Sequence, residues 1–465
     1  MPQRNFLILL VALAASYACY VRGEQNPYAR YVARSLGEIE AGALEQVPNE
    51  ELFNGALEAM VDVLHKHGDQ HSQFIPRLEA DPFQAEMRQQ FGGIGVRIRI
   101  LGDPPELVVV GAPDPGTPAE RADIRANDRV LEIDGKSTTG MNLTEVMLLM
   151  HGQPGDPLRL LIRHADAAHP EVKELVREVI TIDSILGDGR TIEGGWEFRL
   201  EADPRVAQVR VTTFGNKTAD ELDRTLSRLT NEGVKAVVLD LRDDAGGSLD
   251  AAVAICDMFL PAGKKIVEIR GRDDVLEERY LSGGDGKFAE LTLAVLVNAG
   301  SASASEILAA CLQDNGRAAV LGGRSYGKGT VQKLIPIESG RSLLKLTSAH
   351  YRRPNGKNID RSADALDSDD WGVSPDPGRE VPLTDQEYEA YAKYRSARDL
   401  WGDPPPKELL PADDGVNDDA VKSDEAAEQA VEPEIDPAAD ADFVDRPLDA
   451  AVEYLERVLD AEKSA

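Results

Sequence analysis

A serine hydroxyl is a poor nucleophile until a base takes its proton, and a lysine can be that base only if its amine is neutral near physiological pH. The chain holds both groups in one short span. Ser301-Ala-Ser303-Ala304-Ser-Glu306 follows the apolar run Leu291–Asn298, and Tyr326-Gly-Lys328-Gly-Thr-Val-Gln332 places a lysine 25 residues after Ser303. A lysine's ordinary pKa of about 10.4 must fall by roughly 3 for this work, ~4 kcal/mol of differential environment and mostly desolvation. Glycines flank Lys328, no acidic residue lies between Leu321 and Ile337, and the strand-like Thr330–Ile337 leads into an interior. Two plainer uses compete. Small residues opening a helix after a buried strand are often close packing, and Ser301 or Ser305 could cap the helix through Glu306–Leu312. Gly322–Gly329 nearly spells a phosphate loop, but Gly329 stands where a Mg²⁺-binding hydroxyl is required, and a strand follows where a helix should begin.

In this order and at this spacing the two motifs resemble those of the carboxy-terminal processing, or tail-specific, proteases: Ser-Ala-Ser-Ala-Ser-Glu, then Phe-Gly-Lys-Gly-x-Val-Gln. The resemblance implies that Ser303 is the nucleophile, Lys328 the general base and Gln332 the group that orients the lysine. Tyr326 stands where the family usually has phenylalanine. It implies no metal and no cofactor.

Such residues need elements to hold them, and the rest of the chain supplies candidates. At 465 residues there is room for two to four domains, and a net charge of -31 argues against nucleic acid as a partner. The three cysteines, Cys19, Cys256 and Cys311, form neither a disulfide framework nor a zinc pattern. An apolar run, Phe6–Ala15 behind Arg4, has the build of a secretory signal or, continued to Val21, a short membrane anchor. The expectation is an exported protein of the cell envelope, on the periplasmic side, soluble or anchored through residues 1–23, with its oligomeric state open.

Residues 24–90 read as a helical segment, with Leu52, Phe53, Ala56, Leu57, Met60, Val61 and Leu64 at three- and four-residue steps. His65, His67 and His71 lack a metal-ligand spacing. Phe91-Gly92-Gly93-Ile94-Gly95-Val96 then reads as a glycine-rich loop before a strand, a nest of backbone N–H groups able to take a peptide's C-terminal carboxylate. With strands at Leu107–Val110 and Arg129–Ile133 and a helix near Leu143–Met150, residues 91–166 resemble a PDZ domain. Asp123 and Asn127 replace family glycines and are residue types that tolerate left-handed backbone. His151 replaces a frequent arginine.

From 176 to 380 the pattern is strand, capped helix (Thr218–Asn231, with Thr218 and Glu221 spaced as a capping box), the buried strand Val234–Leu241, a turn, a helix to about Phe259, the serine turn and the lysine strand. This predicts an α/β protease core, which the resemblance likens to the crotonase and Clp protease superfold. The turn Arg242-Asp-Asp-Ala-Gly-Gly247 can expose N–H donors to an oxyanion. The resemblance matches Gly247 and Ala304 as those donors, with Asp243-Asp244-Ala245 departing from the family's asparagine and proline. Asp314, on the serine helix, reads as structural support and Cys311 as core. The closing motifs Pro354–Ile359 and Trp371–Asp376 are separated by the acidic insert Asp364–Asp370. Residues 381–465 form an acidic extension: 411–445 hold thirteen acidic residues against one basic and read as a disordered spacer, before helical spacing returns over Leu448–Leu459.

The reading is a multidomain α/β serine endopeptidase acting on proteins or peptides with exposed apolar C-termini. The altered turn and His151 leave a second reading open, a non-catalytic PDZ scaffold on the same fold.

Overall fold

The computed structural model describes residues 12, 13, 16, 26–284, 286–362, 364–366, 368–402 and 443–464. Nearly all of the expected export segment and of the expected acidic spacer lies outside the described residues. Two compact units are formed, Met1–Ala80 with Gln332–Thr347, and Asp81–Val331 with Ser348–Ala465.

In the first unit, helix α1 (Pro27–Gly42) starts behind Asn26, whose side chain accepts the Tyr28 N–H, with proline at a position where a missing N–H costs nothing. Helix α2 (Asn49–Lys66) follows. The helical pattern then breaks at strand β1 (Gln73–Ile75), which the sequence does not announce. Its cause is a polar turn: Asp69 accepts from the N–H groups of His71 and Ser72, and Thr347 Oγ1 donates to it at 2.8 Å.

The first strand of the second unit is β2 (Gln90–Gly93). A five-strand antiparallel path follows, of β3 (Ile98–Leu101), β4 (Glu106–Val109), β5 (Arg129–Ile133), β6 (Pro157–Arg163) and β7 (Glu171–Val176) in that order. Helix α3 (Leu143–Met150), capped by Asn142 and Glu145, closes its core with Val146 and Met150 against Ile94, Ile133 and Ile162. Strand β8 (Glu178–Thr181) pairs with β2. Asp123 (φ 57°) and Asn127 (φ 69°) do take left-handed backbone.

The core sheet runs β9 (Ile185–Leu186), β10 (Val206–Val211), β11 (Ala236–Asp240), β13 (Thr292–Val297) and β14 (Ala319–Gly322), where β12 (Lys265–Arg270) belongs to another sheet; all but β9 are parallel. Between them lie α4 (Thr218–Asn231), α5 (Leu249–Phe259) and α6 (Ala304–Asp314). The period-two pleat sorts each strand. Val237, Leu239, Val295 and Val297 join the core beneath these helices, while Ala236, Val238, Ala294 and Leu296 enter a second core. Parallel strands must be covered on both faces. Beyond β15 (Thr330–Ile337), β16 (Ser342–Arg352) and α7 (Asp385–Arg398), the cover for the second face is α8 (Arg446–Ser464), which buries Leu448, Ala451, Val452, Leu455 and Leu459 there. The helical spacing at the C-terminus thus builds the core itself. Leu455, fully buried, should cost about 2–5 kcal/mol when cut to alanine, checked by urea unfolding.

One local expectation is corrected. Thr218 is not the cap of α4. It lies inside the helix, donates to Thr213 O and accepts from Gly215 N, and Glu221 instead takes the N–H and hydroxyl of Ser184. The tertiary partners outcompete the local motif.

Candidate active site

Between the end of β13 and the start of α6 the three serines of the motif part company. Ser301 Oγ donates to Leu241 O at 2.7 Å and Ser305 Oγ to Asp244 O at 2.9 Å, so both tie this turn to the neighbouring Leu241–Gly247 turn. Ser303 sits at φ 55°, a left-handed backbone that costs a non-glycine residue about 1–3 kcal/mol. A strained strand-to-helix turn of this kind lifts a nucleophile clear of its helix. The phenol of Tyr351 on β16, 5% exposed, is pushed up to about 12 by burial, and the Ser303 hydroxyl near it opposes that rise.

Lys328 is half-buried on the loop between β14 and β15. What fixes that loop is Glu306, fully buried on the first turn of α6. One carboxylate oxygen accepts from Ser303 N at 2.9 Å and Lys328 N at 2.8 Å; the other accepts from Gly327 N at 2.7 Å and Ser325 Oγ at 2.5 Å. A single side chain therefore clamps the serine turn to the lysine loop. Burial pushes its carboxyl up to about 7, and the four donors oppose that rise. The loop rests in turn on the closing motif, where Val373 N donates to Ser325 Oγ at 2.7 Å. A Cβ on Gly329 would come 2.2 Å from Asp360 N, so only glycine admits this approach. The run between Leu321 and Ile337 has no acid of its own, but the fold delivers Glu306 from α6 and Asp360 from the segment after β16.

Gly246 (φ 97°) and Gly247 (φ 141°) form the tip of the other turn. A Cβ on Gly246 would lie 2.8 Å from Ala304 N and 2.9 Å from Ser303 Cβ, which sets this tip directly against the serine. Ala304 is the first residue of α6, where an N–H has no acceptor within the helix, and Gly247 is exposed. The expected donors Gly247 and Ala304 and the expected nucleophile Ser303 are thus neighbours. Gln332 lies half-buried on β15, in the first unit, on the strand that leaves Lys328.

In the PDZ region, Gly92 and Gly93 are corrected. They are not an open loop but the end of β2, paired with β8, and a Cβ on Gly92 would stand 1.9 Å from Gly152 O. Close backbone approach explains these glycines. Of the expected nest, Ile94 and Gly95 (φ 80°) remain outside a strand. His151 stacks on Phe91, ring centroids 4.4 Å apart, and burial, then Arg177, lowers its pKa. An arginine does cap α3, from elsewhere in the chain: Arg177 donates to Met150 O and Leu149 O at 2.9 and 2.7 Å.

Glu306, Tyr351 and Arg177 went unassigned in the sequence. Glu306 alone carried a signal, being the last residue of the serine motif. Asp314 does serve as support, accepting from Arg353 and Asn355. No cluster of three or more His, Cys, Asp or Glu among the described residues is arranged to hold a metal ion.

Residues 205–377 match peptidase family S41, and residues 109–164 match a PDZ domain. The chain is 33% identical over 395 residues, 82% of each chain, to a carboxy-terminal-processing protease of Bartonella bacilliformis. It is 26% identical over 392 residues, 81% of this chain and 77% of the other, to the carboxy-terminal processing protease CtpA of Bacillus subtilis. Among solved structures it is similar to a photosystem II D1 C-terminal processing protease, at 28% identity and a TM-score of 0.41, covering 75% of this chain and 86% of that one. The protein belongs to the carboxy-terminal processing proteases of peptidase family S41, and is a PDZ-containing serine protease.

Proposed function

We propose that the protein is a Ser-Lys endopeptidase that cuts protein substrates near C-termini held by its PDZ region. Ser303 Oγ attacks the scissile carbonyl, Lys328 takes the proton and returns it to the leaving amine, and Gln332 orients the lysine. The N–H groups of Gly247 and Ala304 stabilise the oxyanion. The observation that carries this reading is the clamp: Glu306 binds Ser303 N and Lys328 N through one oxygen, so two motifs far apart in sequence share one anchor.

Substrate selection follows from an open sheet edge. Strand β3 pairs with β4 and ends the sheet on its other side, so an extended peptide can add there as a further strand. Half-buried Val96 and Ile98 with partly exposed Leu143 and Met147 suit an apolar terminal residue. Two unfolded substrates differing only in their last residue test this. One ending in an apolar residue should be cleaved about 10-fold or more faster than one ending in Asp, a discrimination of about 1–3 kcal/mol for an apolar subsite. Equal rates would remove the PDZ region from recognition. Export is part of the same proposal, resting on the apolar run Phe6–Val21.

A further inference from the structure

The turn that presents Gly247 contains a carboxyl with no use in the chemistry above. Asp244 is fully buried. Its Oδ1 accepts the Gly246 N–H at 2.8 Å, and its backbone carbonyl accepts Ala302 N at 3.0 Å and Ser305 Oγ at 2.9 Å. Oδ2 is buried and has no hydrogen-bond partner among the described residues.

The charged and titratable groups around it are engaged elsewhere. Arg242, on the same turn, is bound by Asp240 and by Asp445 before α8. Asp243 takes Asn298 Nδ2 and the Tyr388 hydroxyl from α7. Glu306, on α6, faces the lysine loop and Lys328. Tyr391 of α7 lies under the Arg242 guanidinium. The segment Thr212–Gly215 beneath the turn carries no titratable side chain. No cation bonds Asp244 among the described residues and no donor reaches its Oδ2, and a carboxylate buried with neither is too costly to persist.

We propose that Asp244 works as a neutral carboxylic acid, a positioning residue that pins the oxyanion turn to the serine turn, and that its ionisation releases both turns and switches the enzyme off in base. Burial drives its carboxyl well above the ordinary aspartate range, with the Gly246 N–H bond opposing. An ionised Oδ2 must reach water, and the outward movement pulls the carbonyl away from Ala302 and Ser305. The Gly247 N–H then loses its place beside Ser303.

This inference rests on the proposed activity for its kinetic arm, but not for its thermodynamic one. A raised folded pKa means that stability is greatest below the unfolded value and falls as pH climbs towards the folded one. Asp244→Asn keeps the shape and the acceptor while removing the proton. The variant should therefore melt above wild type, by a gap that widens from pH 5 to pH 8, and its kcat should hold in base where wild type declines. A gap that does not change with pH, or the same alkaline decline in both proteins, overturns the proposal. Should the variant fail to fold, infrared spectra of wild type at pH 9 decide: a protonated-carboxyl C=O band supports the neutral acid, and its absence refutes it. Wild type inactive at every pH, with the widening gap still present, would sink the protease reading and leave the neutral acid standing.

Discussion

Ser303→Ala and Lys328→Ala should each lower cleavage of an unfolded protein substrate by roughly 10⁴-fold or more, while the cooperative unfolding transition survives. The alanine at 303 removes the hydroxyl near Tyr351, while the Glu306 contact at this position is made by the backbone N–H and is kept. Lys328→Arg should be as inactive as the alanine variant, since a guanidinium stays protonated and cannot accept the serine proton. Near-normal cleavage by the arginine variant would make residue 328 an electrostatic group and not the base. Wild type that binds C-terminal peptides but cuts nothing would favour the scaffold reading.

The second large effect belongs to Glu306. Glu306→Gln should reduce kcat/KM by about 100-fold, the scale of a 1 Å misplacement of a catalytic group. An amide cannot accept at both ends, so its NH₂ must face either the Ser303 and Lys328 N–H groups or those of Gly327 and Ser325. The clamp is then broken on one side. The pH dependence has a definite sign. Because the carboxyl is pushed up to about 7, fold stability should be greatest below pH ~4.5 and fall by about 3 kcal/mol as pH rises to about 7. Activity should rise over the upper part of that range as the clamp ionises. Melting curves for wild type and the glutamine variant check this: the slope of Tm with pH between 4.5 and 7 should flatten in the variant. An unchanged slope would mean that Glu306 stays ionised throughout.

These expectations draw on two different kinds of legibility. The serine and lysine motifs, the buried strand Val234–Leu241 and the helices α3 and α5 were readable because each is local: a period, a cap or a spacing within a few residues. Asp123 and Asn127 were readable for the same reason, since tolerance of left-handed backbone is a property of the residue. The capping box at Thr218 and the loop at Gly92-Gly93 misled because a local pattern competes with partners that arrive from elsewhere, Ser184 for Glu221 and Gly152 for Gly92.

The sequence by itself determined the inventory: a serine with a lysine 25 residues on, a Gly-Gly turn, a PDZ-like run and a C-terminal amphipathic helix. Only the tertiary structure decided what those residues do to one another. It separated Ser303 from Ser301 and Ser305 by backbone strain, made Glu306 the clamp between two loops, and put α8 on the second face of the core sheet. It also buried Asp244 without a partner. Burial and long-range hydrogen bonding belong to the folded chain as a whole, and a short window of sequence does not contain them, because groups that complete a turn can lie tens of residues away, as Ala302 and Ser305 do from Asp244.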